Sequence, residues 1–268
     1  MDGHRLERSD DVAKCNEVKI LADQIDWQCE VKTLFSEKNL GCKFGPYKAI
    51  DWFFKNVEEG IILEDDSLPD ISFFYFCEEL LARFRHKDKI ASISGNNFQF
   101  GKNNTGNSYY FSNFSHTCGW ATWRKAWQNY DLDIKSWSQL KSERWLKSIF
   151  NNPFERLYWT LIFNAVYDQR IDSAWDYQWT FMVWRKQYFS ILPNQNLISN
   201  IGFESEDATH TKGKSKFSKI PTKQISFPLK HPKLMRRNAE ADNFTQKNNY
   251  VLWKEVVVQT AKWLGIKV

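Results

Sequence analysis

Gly60-Ile61-Ile62-Leu63-Glu64-Asp65-Asp66-Ser67-Leu68-Pro69 is the stretch whose reading decides the fold. Three large apolar residues end abruptly in three consecutive acids, and Pro69 then blocks continuation. The apolar run is too short for a helix and is bounded by Gly60 and Pro69, which predicts a short buried strand over Ile61 to Leu63. In open α/β sheets, ligands bind where the carboxyl ends of strands emerge, and this end carries three acids. Adjacent carboxylates repel one another, so grouping them at the edge of a core costs stability unless a cation joins them. A hard divalent ion with oxygen ligands, Mg²⁺ or Mn²⁺, is the candidate cofactor. Most Glu-Asp-Asp tripeptides are solvated turns; the strand in front of this one sets it apart.

Upstream of the acids, Ser9-Asp10-Asp11 predicts an N-cap and acidic first turn for a helix running to about Ile25. Val31 to Phe35 alternate as a strand. Gly41 and Gly45-Pro46 punctuate a loop, and Tyr47 to Val57 form a helix with Ile50, Phe53, Phe54 and Val57 on one stripe. Downstream, Phe73, Phe76, Cys77, Leu80, Leu81 and Phe84 mark a strongly apolar helix, and Ile90 to Ser94 return as a strand. Alternating helix and strand argue for a doubly wound α/β sheet.

The second half is less regular. Tyr109 to Ser115 read as a strand, and Gly119 to Trp127 open a helix on which Trp120, Trp123 and Trp127 recur at helical spacing. Further helices are predicted near Glu143 to Phe150, Pro153 to Tyr167 and Trp175 to Lys186, with short strands at Ser190 to Leu192 and Asn196 to Ile201. Gly202 to about Pro232 is polar, rich in lysine and without periodicity, which predicts a mobile loop. Ala239 to Leu264 return to a helical pattern. The expected organisation is one domain over residues 1–235, with a C-terminal helical tail (236–268) packed on it.

Of the 268 residues, 42% are hydrophobic and 26% charged, ordinary values for a soluble globular chain. The 13 Trp, 10 Tyr and 21 Phe are a less ordinary load. Such rings stack on sugars or bases, but most of them fit a core built from large side chains. The net charge of +5 suits a polyanionic small molecule such as a nucleotide diphosphate, or weak attraction to an acidic membrane surface. No nucleic-acid-binding signature is present, and no apolar run is long enough to span a bilayer. Five cysteines, odd in number and without a Cys-x-x-Cys pair, read as reduced thiols in a cytoplasmic protein with no signal peptide.

Glu59 to Asn97, with the strand, Glu64-Asp65-Asp66, Pro69, an aromatic-rich helix and Ser92-Ile93-Ser94-Gly95-Asn96-Asn97, resemble the nucleotide-diphospho-sugar transferases of the GT-A fold. The closest likeness is to bacterial proteins related to N-acetylglucosaminyltransferase I, some labelled hemolytic-protein-like. It continues through Gly119-Trp120, Trp175-Asp176-Tyr177-Gln178-Trp179 and Asp207-Ala208-Thr209-His210, so it covers most of the chain. The resemblance implies a GT-A-like Rossmann-type mixed sheet flanked by helices. It implies a metal-dependent, inverting glycosyltransferase that takes a nucleotide-sugar donor and a glycan or other hydroxyl acceptor.

On that resemblance Asp66 coordinates Mn²⁺ or Mg²⁺, while Glu64 and Asp65 face the sugar and ribose. Asp176 is the candidate base that takes the acceptor hydroxyl's proton, its pKa raised between aromatic rings. It reads equally as an N-cap for the helix of 178–186, and Asp172 is its nearest rival. Asp207 and His210 belong to a loop expected to close over the donor, with Lys212, Lys214 and Lys216 beside them. Trp120 is a candidate sugar platform or a buried packing residue. Asp2-Gly3 resembles the end of the family's second strand, so Asp2 is assigned to the donor pocket. The strand-helix-strand that precedes it in the family is expected to be missing, through truncation or degeneration. The competing reading is an inactive remnant that binds glycan or a protein partner through its aromatic surface. A sugar-phosphate nucleotidylyltransferase is disfavoured, because no glycine-rich phosphate loop followed by Arg and Lys is present. No spanning or amphipathic segment supports membrane lysis.

Overall fold

The computed structural model describes residues 1–102, 105–171, 173–203 and 215–252. The strands are β1 (Glu59–Ile62), β2 (Ser67–Pro69), β3 (Ile90–Ser94), β4 (Tyr109–Ser112), β5 (Trp120–Trp123), β6 (Phe189–Pro193) and β7 (Ile198–Asn200). Five of them form one sheet in the order β1-β5-β3-β6-β4, and β2 pairs with β7 in a separate ribbon. Only β3 and β6 run parallel; every other pair is antiparallel, so the sheet is mixed. Helices α1 (Asp11–Ala22), α2 (Gly41–Asn56), α3 (Ile71–Phe84), α4 (Arg124–Trp127), α5 (Trp137–Ser142), α6 (Pro153–Tyr167), α7 (Asp176–Arg185) and α8 (Ala239–Asn249) complete a mixed α/β fold.

The strand and helix periods explain the two cores. Along α3, Phe73, Phe76, Cys77, Leu80, Leu81 and Phe84 fall on one stripe and are all buried, against Ile90, Ile93, Trp123 and Ile191 on one sheet face. Asp70 opens this helix, its Oδ1 accepting from the Ser72 amide at 2.8 Å. On the opposite face, Ile50 and Phe54 of α2, Trp159 and Phe163 of α6, and Trp179 and Val183 of α7 close over Ala91 and Trp120. Successive β5 side chains point to opposite faces, so Trp120 enters one core while Ala121 and Trp123 enter the other. Each fully buried ring contributes roughly 2–3 kcal/mol of apolar burial.

α8 is tied to the body by polar contacts. Its buried Asp242 accepts from Ser112 Oγ at 2.5 Å and the Asn113 amide at 3.1 Å, and Trp159 Nε1 donates to Gln246 Oε1 at 2.9 Å. The remainder of the expected C-terminal helix, from 253 onward, lies outside the described residues.

Several expectations are corrected. Val31 to Phe35 form no strand: Val31 and Phe35 are exposed, so no buried face locks an extended ladder. That segment is held by the chain start instead, where the N-terminal amine donates to Leu34 O at 2.8 Å and the Ser36 amide to Met1 O at 3.2 Å. α2 begins at Gly41, with Pro46 inside it rather than in a loop. Trp120 to Trp123 are strand, and only Arg124 to Trp127 turn helical; a tryptophan every third residue fits either period, and burial on both faces selects the strand. In place of a helix over 143–150 there are α5 and a 3₁₀ turn, Trp145–Ser148, divided by Arg144 at φ 56°. β1 is a half-buried edge strand rather than an interior one. The segment 215–232 is irregular yet anchored, because Ile225 and Leu229 are buried in the α3 core and the Ile225 amide donates to Ser72 Oγ at 3.1 Å.

Candidate functional site

The site grows from the point where β1 leaves the sheet and the chain turns into the β2–β7 ribbon. The turn is closed by the Ser67 amide donating to Glu64 O at 3.0 Å. It directs Asp65 to solvent and leaves Glu64 and Asp66 half-buried. Register then places Asn200 opposite Ser67, next to Asp66. Asn200 Nδ2 donates to Asp66 Oδ2 at 2.9 Å, and the Ile201 amide donates to Asp66 O at 2.9 Å. The chain passes so close that a Cβ on Gly202 would lie 2.5 Å from Asp66 Oδ2, which accounts for glycine at that position.

Asp66 Oδ1 is buried without a hydrogen-bond partner among the described residues. A buried anionic oxygen left unpaired is costly, and a cation or ligand donor removes the cost. Glu64 lies in the same field. Burial is the largest cause raising its pKa, to about 7, and the carboxylates of Asp66, Asp176 and Asp65 push in the same direction. The Trp175 side chain, within hydrogen-bonding reach, offsets part of the rise. Glu64, Asp66 and Asp176 are thus brought together by β1, the ribbon and the start of α7.

Asp176 occupies the first position of α7, with Trp175 as the residue that caps it. It is exposed, so the desolvation expected between aromatic rings acts on Glu64 instead. The helix starts at Asp176 itself and not at 178, so it is a first-turn acid rather than an N-cap. Its charge also reaches the hydroxyls of Tyr130 and Tyr250, where burial is the first cause of a raised pKa and Asp176 the second. Trp120 is fully buried and stacked on Trp175 at 5.7 Å, with Trp179 at 5.1 Å, so its ring offers no open face to a sugar. It supports Trp175, which in turn touches Glu64.

Asp2 has a structural occupation. Its carboxylate accepts from the Leu40 amide at 2.8 Å and the Gly41 amide at 3.0 Å, closing the N-terminus of α2. Lys216 lies over the Phe217 ring at 4.9 Å and donates to Asn248 O at 2.5 Å. Asp172, Asp207, His210, Lys212 and Lys214 lie outside the described residues.

A cavity of about 270 Å³ adjoins the acids. Asn200 and Cys118 form its near wall, Ser67 Oγ standing 3.3 Å from the Cys118 sulfur, and Tyr250 closes the side toward Asp176. Asn96, Phe98, His116 and Phe217 line the remainder. Sequence reasoning missed Asn200, Gly202, His116 and Cys118 as site residues. The pairing of β2 with β7 that assembles them joins positions far apart in the chain and leaves no periodic trace.

Among the described residues, no group of three His, Cys, Asp or Glu side chains is arranged to hold a metal. Asp66 has one free buried oxygen that fits a hard cation, so an ion here would draw its other ligands from a bound molecule and water, as Mg²⁺ commonly does at phosphate sites. Compared with models of protein families and with curated proteins, the chain matches none of them.

Proposed function

We propose that this chain is a metal-dependent, inverting glycosyltransferase of the GT-A type, acting in the cytoplasm on a nucleotide-sugar donor and a glycan or other hydroxyl acceptor. The observation that carries the reading is the convergence of Glu64, Asp66 and Asp176 beside a cavity, with Asp66 Oδ1 buried and unpartnered among the described residues. Asp66 would hold Mn²⁺ or Mg²⁺, and the bound ion supplies positive charge to the departing diphosphate.

The chain's own groups do the rest. Asn200 and the Gly202 backbone fix Asp66 in one orientation. Asp65, exposed beside it, is placed to meet the donor's ribose, and Glu64 its sugar. Near neutral pH Glu64 is part-protonated, so its carboxyl donates as well as accepts hydrogen bonds. Asp176 takes the proton of the acceptor hydroxyl at its carboxylate. Asp207 and His210 stay in the proposal as diphosphate contacts on the resemblance alone.

Calorimetry with a panel of nucleoside diphosphates and Mn²⁺ tests the reading. Metal-dependent affinity is expected in the native chain and lost in Asp66→Ala. If Asp66→Ala binds as the native chain does, the assignment of that acid is wrong. Asp176→Asn is expected to keep nucleotide affinity and lose transfer by roughly 10²-fold or more.

One observation favours a second reading. The described residues hold no ready three-ligand metal group. A module that binds glycan or protein without chemistry needs none, and it would show no metal-dependent nucleotide affinity.

A further inference from the structure

The cavity beside the acids has walls of a particular chemistry. His116 is 7% exposed and Asn96 2% exposed, and both line it. His116 Nε2 and Asn96 Oδ1 are buried without partners among the described residues, and so is Oδ1 of Asn249, a third wall residue. The other Asn96 amide atom is tethered, Nδ2 reaching Ile198 O at 3.5 Å. Unpaired polar atoms of this kind are rare in a folded chain and call for an explanation. Three on one cavity ask for a ligand that brings hydrogen-bond donors to them.

The remaining walls narrow the class. Phe98 meets Phe217 edge-on at 4.9 Å and 61°, and His116 at 4.4 Å and 55°. These rings make a corner rather than a parallel-sided slot, which suits a puckered ring better than a planar base. Burial alone holds the His116 imidazole neutral, its pKa lowered to about 4. No Lys or Arg is among the described wall residues and the amide oxygens only accept, so the walls disfavour a phosphate or carboxylate. An aliphatic ligand would leave all three polar atoms unsatisfied.

We propose that this cavity is a pyranose subsite: hydroxyls on one edge of a sugar ring donate to Asn96 Oδ1 and Asn249 Oδ1 and pair with His116 Nε2, while the apolar ring face rests on Phe98 and Phe217. Its volume, about 270 Å³, is near the small end of small-molecule sites and suits a single ring. Asn200 belongs both to the cavity wall and to the Asp66 support, which sets the ring beside the acids. Its role as the sugar end of a transfer site rests on the glycosyltransferase reading; binding of the ring does not.

The test is NMR titration of the whole chain with methyl pyranosides of glucose, galactose, mannose and N-acetylglucosamine. At least one is expected to shift the His116 imidazole resonances. His116→Phe and Asn96→Ala are each expected to weaken that glycoside about tenfold. His116→Phe removes an unsatisfied buried group, so its thermal midpoint is expected to hold or rise, which a merely structural histidine would not allow. The proposal is overturned if no glycoside in the panel perturbs His116, or if affinity survives both substitutions. Nucleotide sugars with Mn²⁺ separate the sources: displacement of the glycoside assigns the ring to the donor, and simultaneous binding assigns it to the acceptor. Glycoside binding without metal-dependent nucleotide affinity leaves the subsite standing and removes the transfer reading. Nucleotide binding without any glycoside does the reverse.

Discussion

Two carboxylates are buried beside opposite edges of the sheet, Asp242 against β4 and Glu64 just past β1, and burial is the leading cause raising the pKa of both. Their neighbours differ in sign. Around Asp242, Arg237, Ser112 and the Asn113 amide all pull its pKa back down. Around Glu64, three further carboxylates push it higher, and only Trp175 opposes them. One edge is compensated within the chain; the other is left for something outside the chain to complete. A fold selected for stability alone would treat the two alike, so the contrast separates an architectural acid from a working one.

The comparison breaks most visibly at Asp242. Asp242→Ala strands Arg237 and the Ser112 hydroxyl, and a loss of about 3–5 kcal/mol is expected in denaturant unfolding. A loss below about 1 kcal/mol would make the compensated edge no different from an ordinary surface. Gly202→Ala comes next. Its new methyl meets Asp66 Oδ2 at 2.5 Å, so about 2 kcal/mol should go, together with nucleotide and metal affinity in calorimetry.

Glu64→Gln runs the other way. The folded state holds the Glu64 proton up to about pH 7, whereas the unfolded chain releases it near the ordinary 4.5. The folded state therefore binds more protons between these values, and native stability falls as pH rises through that window. Glutamine imitates the protonated form. The variant should match the native chain below about pH 4.5 and exceed it above pH 7 by about 1–2 kcal/mol, a figure discounted for partial exposure. Equal slopes of unfolding free energy against pH would remove the claim. The smallest effect is expected for Asp66→Asn, within about 1 kcal/mol of native stability, with metal-dependent nucleotide affinity gone.

The sequence showed the edge but not the pocket. The strand-then-acid step at Glu64, the α3 stripe and the Pro153–Tyr167 helix were legible because each is a local pattern with one reading. Trp120 to Trp123 were ambiguous, since two tryptophans three apart satisfy a helix as well as a two-sided strand. Asp176 was found as a residue, yet the buried, proton-retaining acid proved to be Glu64, because exposure is set by packing that spacing does not encode. Asp2 was assigned to a ligand and serves a helix end. Asn200, Gly202 and His116 were invisible for a different reason: each matters only through a contact many tens of residues away.

The β2–β7 ribbon has only three residues on each strand. A slip by one position would swing the Asn200 amide to the other side and release Asp66. What resists the slip is Leu197, fully buried, whose carbonyl accepts from the Asp70 amide and whose own amide donates to Gly95 O, both at 2.8 Å. Alignment of the acid is therefore inherited from a hydrophobic anchor three residues upstream of its amide partner. Softening the core at that anchor would blur ligand affinity well before the chain lost its fold.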